Sequence, residues 1–272
     1  PMLHLGWNSN SFTRHRLEDA IPLLSDLGYT AIAITPDVAH LDPRYTTSAE
    51  VRRVGILCEQ HGLKVVVESG ARFSLSATQK HRPNLLEVDD TRQLRLKYLR
   101  TLCEWCELLG SSVLSFWSGA LPVDQTIKGA RSCLMQAVEN LSPLAEKYGA
   151  KLALEPEPGH FVATLDDYVL AENRSSGAFG LCLDVGHLLV NDSYSPVEAL
   201  KKFDNQIINI QLDDMPRGRH DHCAPGEGEI DWPALKEALA RFALIRNTPA
   251  CWELARDGHR FHELARELSR FI

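Results

Sequence analysis

The chain has 272 residues, 44% hydrophobic and 24% charged, with 29 basic against 36 acidic side chains, a formal charge of −7 and a pI near 5.9. That length buries about three-quarters of the unfolded surface, and the composition excludes a disordered or low-complexity chain. The acidic balance argues against a general nucleic-acid or membrane-surface binder, which needs a basic face.

The first apolar run, Leu3–Ser9, predicts a strand, and Arg16–Leu27 an amphipathic helix. The alternation then repeats: strand Ala31–Asp37 and helix Ser48–His61, strand Lys64–Ser69 and helix Thr91–Leu109, strand Val113–Ser118 and helix Ile127–Tyr148. The second half continues with strand Lys151–Glu155 and helix Leu165–Asn173, strand Gly180–Val185 and helix Pro196–Phe203. It ends with strand Ile207–Leu212 and helix Trp232–Phe242, then strand Ala250–Leu254 and helix Phe261–Phe271. The strands are apolar at consecutive positions, as parallel strands covered on both faces should be. Thr164 before Leu165-Asp166-Asp167, Ser195 before Pro196-Val197-Glu198, and Asp231 before Trp232-Pro233 read as N-caps. Gly28, Gly62, Gly110 and Gly149 stand where helices should end.

Eight strand–helix units without a linker predict one domain over residues 1–272, a (β/α)8 barrel of the α/β class, rather than an open doubly wound sheet. No glycine-rich fingerprint follows the first strand. The longest stretch without Asp, Glu, Lys, Arg or His, 108–123, is too short and too broken by Gly, Ser and Pro to cross a bilayer. No signal-peptide pattern precedes Leu3, and the seven scattered cysteines suit a reducing compartment, so a cytoplasmic protein is expected.

In such a barrel the chemistry lies at the C-terminal ends of the strands. Those ends offer Asn8, Asp37, Glu68, Trp117, Glu155, Glu157, Asp184, His187, Gln211, Asp213, Asp214 and Glu253. Four are polar side chains closing apolar strands: Glu155, Asp184, Gln211 and Glu253. Three acids aimed into one mouth repel one another unless a cation lies between them. Oxygen-rich ligation suits Mn²⁺ or Mg²⁺ first, with Co²⁺ or Zn²⁺ as alternatives. The competing reading makes these acids solvated ends or partners of Arg72, Arg217, Arg219 and Arg256.

With these residues in place, the sequence resembles the xylose isomerase-like barrels, which include sugar-phosphate isomerases and epimerases, ketose 3-epimerases, hydroxypyruvate isomerases and 3-dehydroshikimate dehydratases. The resemblance spans the chain and is most specific from Leu152 to Glu253. It implies one divalent metal held by Glu155, Asp184, Gln211 and Glu253, with Gln211 standing where the ketose 3-epimerases usually carry histidine. It further implies that Glu155 and Glu253 serve as the acid/base pair and that His187, in Asp-Val-Gly-His, contacts substrate. The segment 217–232 resembles the family's seventh loop, ending in a Pro-Gly-x-Gly turn.

The expected activity is isomerisation or epimerisation of a small sugar, sugar phosphate or hydroxy-carbonyl compound. The route would be proton transfer α to a carbonyl through a metal-stabilised enediolate. A dehydratase on the same site is the alternative, and an abasic-site nuclease is disfavoured because the second, third and fourth strand ends lack histidine. Arg219, His220, His222, Glu157, Arg72 and Glu68 are expected to contact substrate. The loop up to Asp90, with Lys80, His81 and Arg82, reads either as a lid over an anionic substrate or as a solvated excursion. The expected partner is a small carbohydrate-like molecule, with no nucleic acid and no membrane, and a homodimer fits the family. Cys103 and Cys106 have redox spacing but lie on a helix's apolar face and read as core. Arg92, Arg95, Lys97 and Arg100 read as a solvated helix face.

Overall fold

The apolar runs form eight parallel strands whose hydrogen bonding closes on itself. In the computed structural model, which describes residues 3–272, they are β1 (His4–Asn8), β2 (Ala31–Ile34), β3 (Lys64–Glu68) and β4 (Val113–Phe116), followed by β5 (Lys151–Leu154), β6 (Phe179–Asp184), β7 (Ile207–Leu212) and β8 (Pro249–Trp252). Each pairs with its sequence neighbour, and β8 returns to β1 with Gly6 opposite Cys251. The helices are α1 (Leu17–Asp26), α2 (Ser48–Gln60), α3 (Arg92–Leu109), α4 (Ile127–Lys147) and α5 (Leu165–Ser175), then α6 (His187–Asn191), α7 (Pro196–Lys202), α8 (Trp232–Ile245) and α9 (Phe261–Leu268). This is the (β/α)8 TIM barrel that the alternation predicts.

Two cores result. Between sheet and helices lies a large cluster of Leu, Ile, Val and aromatic side chains. Inside the barrel the packing is of small residues: Ala31, Ala33, Val66, Val113, Ala153, Cys182 and Cys251. Parallel strands buried on both faces need apolar residues at consecutive positions, and the interior leaves space only for small ones. Gly6 shows how tight the floor is, since a Cβ there would lie 2.3 Å from the Ala31 carbonyl oxygen.

The caps form as the sequence predicts. Thr164 and Ser195 make reciprocal capping boxes with Asp167 and Glu198, and the Asp231 side chain accepts the Ala234 N–H. Gly110 ends α3 in the left-handed conformation. Cys103 and Cys106 are buried free thiols, and burial pushes Cys103 up to about 12, which fits core rather than redox chemistry. Among the described residues no helix is long and apolar enough to cross a membrane.

Three features differ from the sequence reading. β2 ends at Ile34 rather than Asp37, because the Thr35 N–H leaves the ladder for the Ser9 hydroxyl. Two helices, not one, separate β6 from β7: the short α6 starts at His187, where Asp184 Oδ1 accepts the N–H groups of Gly186 and His187 at 2.9 and 3.0 Å. The third is a correction to the solvated-face reading of α3. Arg95 is only 2% exposed and donates to the carbonyls of Pro83, Gly70 and His81, so it packs inward beneath the β3–α3 connection.

Candidate active site

Side chains alternate across a strand, so the residue two positions beyond an inward-facing one also faces inward. From the small interior layer this rule runs Val66 to Glu68, Ala153 to Glu155, Cys182 to Asp184 and Cys251 to Glu253. Glu155 and Glu253 lie just past their strands, but the ladder continues: their N–H groups donate to Phe116 O at 2.8 Å and Leu212 O at 2.9 Å. Asp184 stands in register with Gln211 on the neighbouring strand. As a result Glu155, Asp184 and Glu253 each bring an oxygen within 4.8 Å of the others.

The donor set fits a hard divalent cation. Asp184 Oδ2 and Gln211 Oε1 are buried with no hydrogen-bond partner, whereas buried polar atoms are almost always paired. Burial, reinforced by the charges of Glu157, Glu253, Glu68 and Asp184, raises the Glu155 carboxyl well above the usual carboxylate range. Burial also raises Asp184. Burial and the charge of Glu253 push Glu68 up to about 8. Acids so placed either hold protons or share a cation. The arginines that could have neutralised them do not: Arg217 pairs with Glu229, while Arg219 and Arg256 pair with Asp221.

A second group of donors adjoins the first. The Nε2 atom of His220 lies 3.1 Å from that of His187 and 3.1 Å from that of His222. The opposite nitrogens are anchored, His187 Nδ1 against Pro156 O at 3.1 Å and His222 Nδ1 against Asp213 Oδ2 at 2.5 Å. Glu157 approaches His220 to 3.7 Å and His187 to 4.0 Å. Ring nitrogens this close need a proton or a cation between them, and outer-side anchoring of this kind is how proteins orient metal-binding imidazoles. Burial and the charge of His222 pull His187 down to about 3, and burial with the charge of His187 takes His220 to about 3. Burial opposes a charge on His222 too, but Asp213 outweighs it and holds that ring at about 10.

Both groups border a cavity of about 450 Å³, within the range of small-molecule sites. Of the residues the sequence nominated, Glu68, Glu155, Glu157, Gln211, Glu253, His220, His222 and Arg72 line it, and Asp184 and His187 stand directly behind. Arg219 does not reach it: its side chain is 69% exposed and bound to Asp221 at 3.0 Å. Sequence reasoning gave no role to three residues. Asn10 Nδ2 donates to Glu253 Oε1 at 2.6 Å, and Asn209 Nδ2 donates to Glu68 Oε1 at 2.8 Å. Asp213 anchors His222. Asn209 was within reach of the two-residue period, lying two positions before Gln211; nothing local marks Asn10, whose partner is 243 residues away.

A family model described as a xylose isomerase-like TIM barrel matches residues 21–272. Among solved structures, 3-keto-D-glucoside 4-epimerase YcjR from E. coli superposes with a TM-score of 0.77 at 15% identity, covering 99% of this chain and 100% of that one. D-psicose 3-epimerase from Clostridium cellulolyticum H10, solved with D-tagatose, gives 0.76 at 14% identity, covering 99% and 96%. The IolI protein, solved with a zinc atom, gives 0.72 at 20% identity, covering 99% and 95%. At these identities the likeness is one of fold. No curated protein sequence matches the chain.

Proposed function

This chain belongs to the xylose isomerase-like TIM-barrel family, and from that premise we propose that it is a divalent-metal-dependent isomerase or epimerase of a small polyhydroxy carbonyl compound. One observation carries the reading. Glu155, Asp184 and Glu253 converge beside Gln211, and Asp184 Oδ2 and Gln211 Oε1 are buried without hydrogen-bond partners. Structural neighbours that are sugar epimerases, and one that holds zinc, support the same direction.

Glu155, Asp184, Gln211 and Glu253 would hold the ion, all through oxygen, which favours Mn²⁺ or Mg²⁺. The ion would supply Lewis acidity to a carbonyl and its neighbouring hydroxyl. The remaining work falls to the chain. Glu155 and Glu253 follow the ends of β5 and β8 and approach the substrate from different strands, so each is placed to take or return a carbon-bound proton at a carboxylate oxygen. Asn10 holds Oε1 of Glu253, which fixes that carboxylate and leaves its second oxygen for the proton. Asn8 Nδ2, buried without a partner in the cavity lining, is a donor for a substrate hydroxyl. Pro156 O holds one nitrogen of His187 and so aims the other towards the histidine group. Return of the proton to the adjacent carbon isomerises the substrate; return to the opposite face epimerises it.

The test is solvent deuterium incorporation at the carbon α to the carbonyl, over a panel of aldoses and ketoses, before and after chelation. Incorporation that needs a stoichiometric divalent ion is expected. A protein that purifies without such an ion and gains no exchange on adding one overturns the proposal. An unsaturated product without exchange into recovered substrate would identify a dehydratase instead.

A further inference from the structure

The cavity lining carries both signs of charge. Of its five acidic residues, Glu68, Glu155, Glu157 and Glu253 belong to the groups described above. Arg72 and Lys80 also line it, and among the described residues neither makes an ion pair, although sixteen ion pairs occur elsewhere. Asp37 is the acid beside Arg72, and both its oxygens are already engaged: Oδ1 accepts the Val38 N–H and Oδ2 accepts the Arg72 N–H.

Backbone contacts fix the segment that carries the two cations. The His81 N–H donates to Arg72 O at 2.7 Å, closing the segment between them into a loop with Arg72 and Lys80 at its neck. Arg95 anchors that neck from below through the carbonyls of Gly70, His81 and Pro83, and stacks 4.6 Å from the Trp117 ring centroid. Trp117 itself lines the cavity. Ala71, next to Arg72, and His81, next to Lys80, both take left-handed backbone conformations, with φ of 61° and 62°. Non-glycine residues adopt this region at a cost, and such strain persists where the surroundings impose it, commonly at ligand clamps. A buried arginine is therefore holding two strained corners so that two unpaired cations face a substrate cavity.

We propose that Arg72 and Lys80, on the β3–α3 connection that lines the cavity, form the seat for an anionic group of the substrate, a phosphate or a carboxylate. This rests on the isomerase reading for the acid cluster but names a separate property, the charge of the substrate's tail. A planar guanidinium and a mobile ammonium together suit a group with two or three acceptor oxygens. The neutral face of Trp117 in the same lining suits the carbon-bound hydrogens of a short polyol chain.

The test is equilibrium binding to the full-length, metal-loaded protein, followed by tryptophan fluorescence and calorimetry. Matched pairs separate the two anion sources: D-ribose 5-phosphate against D-ribose, and D-glucuronate against D-glucose, with inorganic phosphate alone as a fifth probe. The anionic member of at least one pair should bind tenfold or more tightly than its neutral counterpart. That preference should weaken with added salt and fall towards onefold in Arg72→Ala/Lys80→Ala, with partial rescue in Arg72→Lys. The pair that shows the preference identifies the group. Equal binding within both pairs, no binding of any anionic probe, or a preference that survives the double substitution each overturns the proposal. Binding is read without turnover, so a failure of the isomerase assay leaves this result interpretable.

Discussion

The two halves of the cavity rim are built by different means. On the β5–β8 side, the functional residues are strand ends whose positions follow from ladder hydrogen bonds and the inward phase of the sheet. On the β3–β4 side, Arg72, Lys80 and His81 belong to a connection that runs from Glu68 to Arg92, and its shape comes from Arg95 beneath it. The first half gathers oxygens and imidazoles too closely to be stable without protons or a cation. The second offers cations without partners. Strand-borne positions suit chemistry that tolerates little displacement, and loop-borne positions suit recognition, which differs from substrate to substrate.

The comparison breaks if removing one half fails to remove chemistry. Replacing Glu155 or Glu253 with Gln should lower turnover by about 10³-fold, the range of a lost acid/base group. In the metal-free protein the melting temperature should hold or rise, because an amide replaces an acid in a crowded acid cluster. Steady-state kinetics and calorimetry read both quantities, and retained turnover in both variants would remove these residues from the mechanism.

On the other half, Arg95→Met should cost about 3 kcal/mol, since it strands one buried and two partly buried carbonyls that the guanidinium now satisfies. Hydrogen exchange should quicken across residues 70–83 while the β5–β8 strand ends keep their protection. Uniform loosening of the barrel would show that the two halves are not separable.

The smallest effect is a slope. Glu68 titrates at about 8 in the folded protein against an ordinary 4.5, because of burial and then the charge of Glu253. A raised carboxyl pKa contributes stability that is fully present below about pH 4.5 and is lost as pH rises through about 8. Metal-free wild type should therefore lose stability between pH 5 and 8 more steeply than Glu68→Gln, as chemical denaturation at each pH will show. Parallel slopes would mean that Glu68 is not held protonated.

The same division explains what was legible in the sequence. Eight apolar runs separated by amphipathic stretches specify a parallel sheet covered by helices, and the polar residues closing four of those runs mark the proposed ligand set. Both are local patterns with fixed periods. Arg95 defeats such reading because its surroundings come from residues 70–83, and a cation among other cations on a helix has the pattern of a solvated face. The start of α6 at His187 is hidden for a related reason: the N–H groups of Gly186 and His187 are held by Asp184, which pattern alone assigns wholly to a strand. Asp213 and Asn10 act through partners that a linear pattern does not connect to them. Arg219, the arginine nominated from the seventh loop, is turned outward by Asp221, a neighbour two residues along.

Asp184 gives one oxygen to the chain, while the other is buried without a hydrogen-bond partner, 3.5 Å from His187 Nε2. The same carboxylate is thus both mortar and tool. Folding the turn after β6 immobilises the side chain before any ligand arrives, so under the proposed metal site an incoming ion would meet an oxygen whose orientation has already been set. Loosening that turn would then weaken capture without altering a single atom that touches the ion.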